Sequence, residues 1–146
     1  MNSAHLHIIL NHLPFTLVII GLIVLICGYL FRSEITKGIA YLTFVFATVF
    51  GFVSLYTGEG AKDIIKGVKG IDQRVVTNHE DTALAFLTFL YILGILSIIS
   101  LWLYWKKQSV HKIITVVIVL ITFASIYYGI KAGISGGLIN HAEIVN

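Results

Sequence analysis

Apolar positions gather in four long runs, at residues 13–31, 38–58, 82–105 and 113–130, with polar residues in the gaps between them. Each run has about the 20 residues needed to cross a hydrocarbon core of about 30 Å. Inside lipid the backbone must satisfy its own hydrogen bonds, so runs of this length are expected as helices. The two short polar gaps, Arg32-Ser33-Glu34-Ile35-Thr36-Lys37 and Lys106-Lys107-Gln108-Ser109-Val110-His111-Lys112, would join antiparallel neighbours. The expected fold is therefore all-α: one integral-membrane domain over 1–146, an up-down-up-down four-helix bundle. Its spans would cover roughly 12–31, 38–58, 82–105 and 113–133, with an extramembrane loop at 59–81.

Composition agrees with that reading. The chain is 58% hydrophobic and 12% charged with a single proline, unlike a soluble domain. A raw count of basic residues does not decide the orientation, since Arg32, Lys37, Lys106, Lys107 and Lys112 at the short turns are matched by Lys62, Lys66, Lys69, Arg74 and Lys131 at the other end. The short-turn charges directly flank helix ends, and Trp102, Tyr104 and Trp105 stand beside them, which favours that side as cytoplasmic. Both termini are then expected outside a bacterial inner membrane. The net charge of +3 becomes a topological signal, with no nucleic-acid footprint implied. The first run ends without a small-residue cleavage pattern and is expected to remain as a helix. Cys27 stands alone inside it, so no internal disulfide forms and no Cys-x-x-Cys-His haem attachment exists.

Candidate chemistry concentrates at one face. His5, His7, His12, His79 and His141 would all meet the end that carries the termini, and three follow asparagine: Asn11-His12, Asn78-His79 and Asn140-His141. Histidine is the commonest metal ligand and titrates near neutrality. His5 and His12 are seven apart and share a helical face, whereas His7 lies roughly 200° round from His5. Pro14 predicts a kink, or a separate interfacial piece before the first span. Thr77-Asn78-His79-Glu80 fits a capping box with Thr77 as cap, starting the third helix. His79 would then lie in the first turn, where the helix dipole keeps imidazole neutral. Residues 61–68 place Ile64, Ile65 and Val68 at helical spacing, as in a short amphipathic helix over the bundle mouth. Gly51, Gly58, Gly60, Gly129, Gly133, Gly136 and Gly137 serve either close helix packing or room for a flat cofactor.

Three stretches together resemble an uncharacterised family of small bacterial four-helix membrane proteins, a domain of unknown function. They are His7-Ile-Ile-Leu-Asn11-His12-Leu-Pro14, Asn78-His79-Glu80, and Gly136-Gly137-Leu138-Ile139-Asn140-His141-Ala142-Glu143-Ile144. The resemblance implies a bacterial integral membrane protein of unassigned activity with a connection to redox or metal chemistry, and brings no site residues with it.

Three functions fit these residues. The first is electron transfer by b-type haem, held by His12 with His79 or His141 opposite, its propionates met by Lys131 or Arg74. The second is a copper, zinc or iron site built from His5, His7, His12, His79 and His141 with Glu80 and Glu143, assisted by Glu59 or Asp81. The third is an accessory subunit of a larger membrane complex whose histidines only hydrogen-bond. A transporter is disfavoured, because no charge sits at mid-membrane depth. Hydrolysis lacks a nucleophile motif: Ser97, Ser100, Ser125 and Ser135 have none around them, and Thr16, Thr43, Thr48, Thr88 and Thr122 read as internally bonded helix residues.

Overall fold

A computed structural model describes residues 7, 9–65, 73–110 and 112–142, and their side chains except those of 61–65 and 140–142. Four helices follow one another: α1 (His12–Leu30), α2 (Glu34–Ile65), α3 (Gln73–Trp105) and α4 (Lys112–Ala142). All four are long and apolar enough to cross a membrane, so the chain is a multi-pass membrane protein. Neighbours pack in a ring, most extensively α1 on α2 and α3 on α4, then α2 on α3, and least α4 on α1; the diagonal pairs make no close backbone approach. This is the up-down-up-down bundle that the short turns predict.

The apolar residues face two ways because the solvent outside is lipid. Val18, Leu25, Ala40, Tyr41, Phe44, Ala47, Leu90, Leu93 and Ile118 fill the centre, while Ile23, Phe46, Phe52, Ile95, Ile98, Leu120 and Phe123 cover the outside. Small residues bring the helices together. A Cβ on Gly21 would fall 2.5 Å from the Phe44 ring, and one on Gly94 would collide with Thr48. Buried hydroxyls bond back to their own helix: Ser100 donates to Leu96 O at 2.8 Å, Thr122 to Ile118 O at 2.7 Å and Ser125 to Ile121 O at 2.9 Å. Thr43, Thr48 and Thr88 do the same, as expected of membrane helices, and Thr48 also reaches Leu90 O on α3.

The two hairpin turns are built alike. Arg32 (φ 52°) and Lys107 (φ 55°) both adopt the left-handed conformation just past a helix end. In the first turn Ser33 N–H donates to Gly28 O at 2.9 Å; in the second Gln108 N–H donates to Leu103 O at 2.9 Å. Ser33 then caps α2, its hydroxyl accepting from Thr36 N–H at 3.2 Å.

Two local expectations change. Helix α3 begins at Gln73, so Thr77 lies inside it and its hydroxyl donates to Gln73 O at 3.0 Å. Thr77 is therefore not a cap, and His79 stands beyond the first turn, past the reach of the helix dipole. Likewise, α2 runs unbroken to Ile65, so residues 61–65 continue that helix instead of starting a separate one. Residues 66–68 of the expected amphipathic helix lie outside the described residues.

Candidate functional site: two histidines in matched cradles

The segment ahead of α1 carries the first half of the site. Positions 7, 9 and 10 are helical, Asn11 is a turn residue at φ −63° and ψ −21°, and its N–H still donates to His7 O at 2.9 Å. Pro14, buried in the bundle, has no N–H to continue the ladder. The outcome is a short helical piece before α1 that turns His7 towards α2.

There the His7 ring enters a cradle. Nδ1 lies 3.1 Å from Ser54 O and 3.2 Å from Thr57 Oγ1. A carbonyl only accepts, so Nδ1 carries the proton and Nε2 is the bare nitrogen. The Thr57 hydroxyl donates back along α2 to Val53 O (3.0 Å) or Ser54 O (3.1 Å), leaving its lone pairs for the ring. Gly58 comes next, and a Cβ there would stand 3.1 Å from His7 Cε1.

The same cradle recurs on the other hairpin. His79 Nδ1 lies 3.0 Å from Ala132 O and 3.2 Å from Ser135 Oγ on α4. Ser135 donates to Lys131 O (3.0 Å) or Ala132 O (3.1 Å), and a Cβ on Gly136 would stand 3.0 Å from His79 Cε1. The correspondence extends down the bundle. Gly51 and Gly129, each seven residues before the cradle glycine, admit side chains from the other hairpin: Leu87 and Leu90 reach Gly51, and Phe15 reaches Gly129. The two hairpins α1–α2 and α3–α4 thus carry matching contacts at corresponding places. His7 stands ahead of α1 and His79 on α3, diagonal members of the ring, and the two lie near enough for their charges to interact.

Burial lowers the His7 imidazole below its ordinary value of 6.5, with the Ser54 carbonyl pulling the other way. His79 and His12 are close enough for their charges to lower it further. Neutral His7, with Nε2 unprotonated, is the favoured form in the folded protein.

The other candidates are placed differently. His12 is exposed at the start of α1, close to His7 but outside both cradles. Lys131 is exposed, its ammonium 4.7 Å from the centre of the Tyr127 ring. Arg74 and Asp81 line an open hollow of about 400 Å³ on α3 with Gln73, Thr77 and Asn78. Glu80 is half-buried and Glu59 exposed. His5 and Glu143 lie outside the described residues, as does the His141 side chain. Among the described residues, no three of His, Cys, Asp and Glu come together in a group that could hold a metal ion. Cys27 is free and half-buried.

Comparison of the chain with models of known protein families, with curated proteins and with solved structures gives no match, so the family resemblance of the three motifs identifies no family.

Of the roles expected for the glycines, close packing is seen at some positions, while others meet a histidine ring or open space. Gly51 and Gly129 allow close packing, Gly58 and Gly136 leave room for imidazole, and Gly133 and Gly137 face open space. The cradle hydroxyls Thr57 and Ser135 escape notice in the sequence, although a signal was there. Gly51-x5-Thr57-Gly58 and Gly129-x5-Ser135-Gly136 repeat the same spacing on the second helix of each hairpin.

Proposed function

We propose that the protein is a membrane redox carrier that holds one b-type haem between its two hairpins, with His7 and His79 as axial ligands at the extracytoplasmic end. The observation that carries this reading is the matched pair of cradles. Two histidines carried by diagonal members of the bundle, each with its Nδ1 anchored in a cradle, would suit a haem iron. An isolated copper, zinc or iron ion wants three or four donors, and no such group comes together among the described residues. His79 thus keeps the role expected of it, and His7 takes the place first given to His12.

The haem, when bound, would supply a one-electron iron couple. The chain's contribution is positional. Ser54 O and Ala132 O fix the imidazole tautomers, Thr57 and Ser135 limit ring rotation, and the glycines leave clear the space that a Cβ would fill. The buried amide oxygen of Asn11 has no hydrogen-bond partner among the described residues, an acceptor beside the site.

A reduced-minus-oxidised visible spectrum of detergent-purified protein, expressed with ample haem, tests the proposal. Sharp α and Soret bands near one haem per chain are expected. His7→Ala and His79→Ala should each abolish the low-spin spectrum, while His12→Ala retains it. A colourless, folded protein, or a spectrum indifferent to His7 and His79, would return both residues to service as hydrogen-bonded clips between helices.

A further inference from the structure

The opposite end of the bundle contains a second site, independent of the histidines. The ends of all four helices enclose a cavity of about 190 Å³, with Tyr29, Glu34, Lys37, Tyr41, Tyr104 and Lys112 among its walls. Tyr41 is only 2% exposed, yet its hydroxyl completes no hydrogen bond of normal length among the described residues, although the Tyr29 and Thr115 hydroxyls lie near it. The neighbouring Tyr29 hydroxyl is already committed to Thr115 Oγ1 at 2.6 Å. Helical side chains lean towards the N-terminus of their helix, so Tyr41 on α2 leans towards the mouth of this cavity. A buried hydroxyl left unpaired costs about 1–3 kcal/mol, which a ligand atom accepting its proton would recover.

Charge selects the ligand. Among the described residues this face carries Arg32, Lys37, Lys106, Lys107 and Lys112 against Glu34 alone. Glu34 engages Lys37 at 2.5 Å, and Lys37 also lies 4.8 Å from the centre of the Tyr29 ring, so one ammonium in the cavity wall is already matched. Lys112, exposed at the start of α4, brings a second positive charge beside that helix's unsatisfied N–H groups. The exposed apolar residues Leu30, Phe31, Ile35 and Ile113 flank the opening and offer a surface for acyl chains.

We propose that this cavity receives a phosphate group, carried by the headgroup of an anionic phospholipid in the leaflet that this face meets. Tyr41 donates to a phosphate oxygen and Lys112 balances its charge. Basic pockets between membrane helices recognise anionic headgroups on this principle.

The test uses the full chain in an uncharged detergent and follows thermal unfolding as lipid is added. Phosphatidylglycerol is expected to raise the midpoint by several degrees, and phosphatidylcholine to have little effect. Tyr41→Phe, which preserves the ring, and Lys112→Gln, at an exposed position, should each reduce the phosphatidylglycerol shift. Lys106→Gln with Lys107→Gln should leave most of it, since those residues do not line the cavity. Equal shifts from both lipids, or a loss in the Lys106/Lys107 variant as large as in Lys112→Gln, would overturn the site. A full shift from inorganic phosphate alone would overturn its assignment to a lipid.

Discussion

At the scale of single residues, glycine and histidine act as a unit. The space that Gly136 leaves is occupied by His79, so Gly136→Ala must displace the ring or the helix. Its expected cost is about 1–3 kcal/mol, seen as a lower unfolding midpoint, and Gly58→Ala should behave alike through His7. Gly133→Ala and Gly137→Ala meet nothing within 4 Å and should be neutral, or stabilising by up to about 1 kcal/mol, because alanine is the better helix former. A stability loss at all four positions alike would mean that helix packing, and not the imidazole contact, requires glycine there. Burial of His7 also makes stability depend on pH. Folding lowers the His7 value below 6.5, so the unfolded chain binds more protons in the interval between the folded value and 6.5. Stability is therefore complete above pH 6.5 and falls as acid takes the pH down through the folded value. Unfolding midpoints measured between pH 5 and 8 should show this slope, and His7→Gln should flatten it.

At the scale of elements, what the sequence revealed and what it concealed have separate causes. Four spans were legible because lipid demands long uninterrupted apolar runs, and the polar turns at 32–37 and 106–112 could only lie between them. The polar start of α3 was harder to read, because outside lipid the apolar signal disappears and propensity alone must mark the helix end. Thr77-Asn78-His79-Glu80 has the composition of a capping box, but Gln73, Arg74, Val75 and Val76 are already helical before it. Thr77→Ala is accordingly expected to change stability by less than about 0.5 kcal/mol, where loss of a true cap costs about 1 kcal/mol. Chemical or thermal unfolding of that single variant distinguishes the two. His7 was ambiguous for a related reason. Its direction rests on its contacts with Ser54 and Thr57 of α2, which helical periodicity along the first segment cannot show.

At the scale of the whole molecule, the site depends on symmetry that no single motif expresses. The sequence offset between equivalent positions is 72 for the histidines, from 7 to 79, but 78 for the cradle glycines, from 58 to 136. For the turn residues Arg32 and Lys107 it is 75, and correspondences with such unequal offsets and few identical residues are faint in one dimension, though the turn geometry and the hydrogen bonds match in three. The helix ends at Arg32 and Lys107 match as well, since both hairpins close through a basic residue with positive φ. This arrangement has an evolutionary and practical corollary. Each hairpin buries one of its faces against an equivalent hairpin, so a self-associating two-helix ancestor would already have possessed the complete interface before its gene doubled. Present-day halves should retain that affinity. A chain divided between Ile65 and Gln73 and co-expressed as two fragments should copurify from the membrane through a tag on either fragment. Failure of the fragments to find one another would make the covalent connection, and not the interface, the element that keeps the modern protein whole.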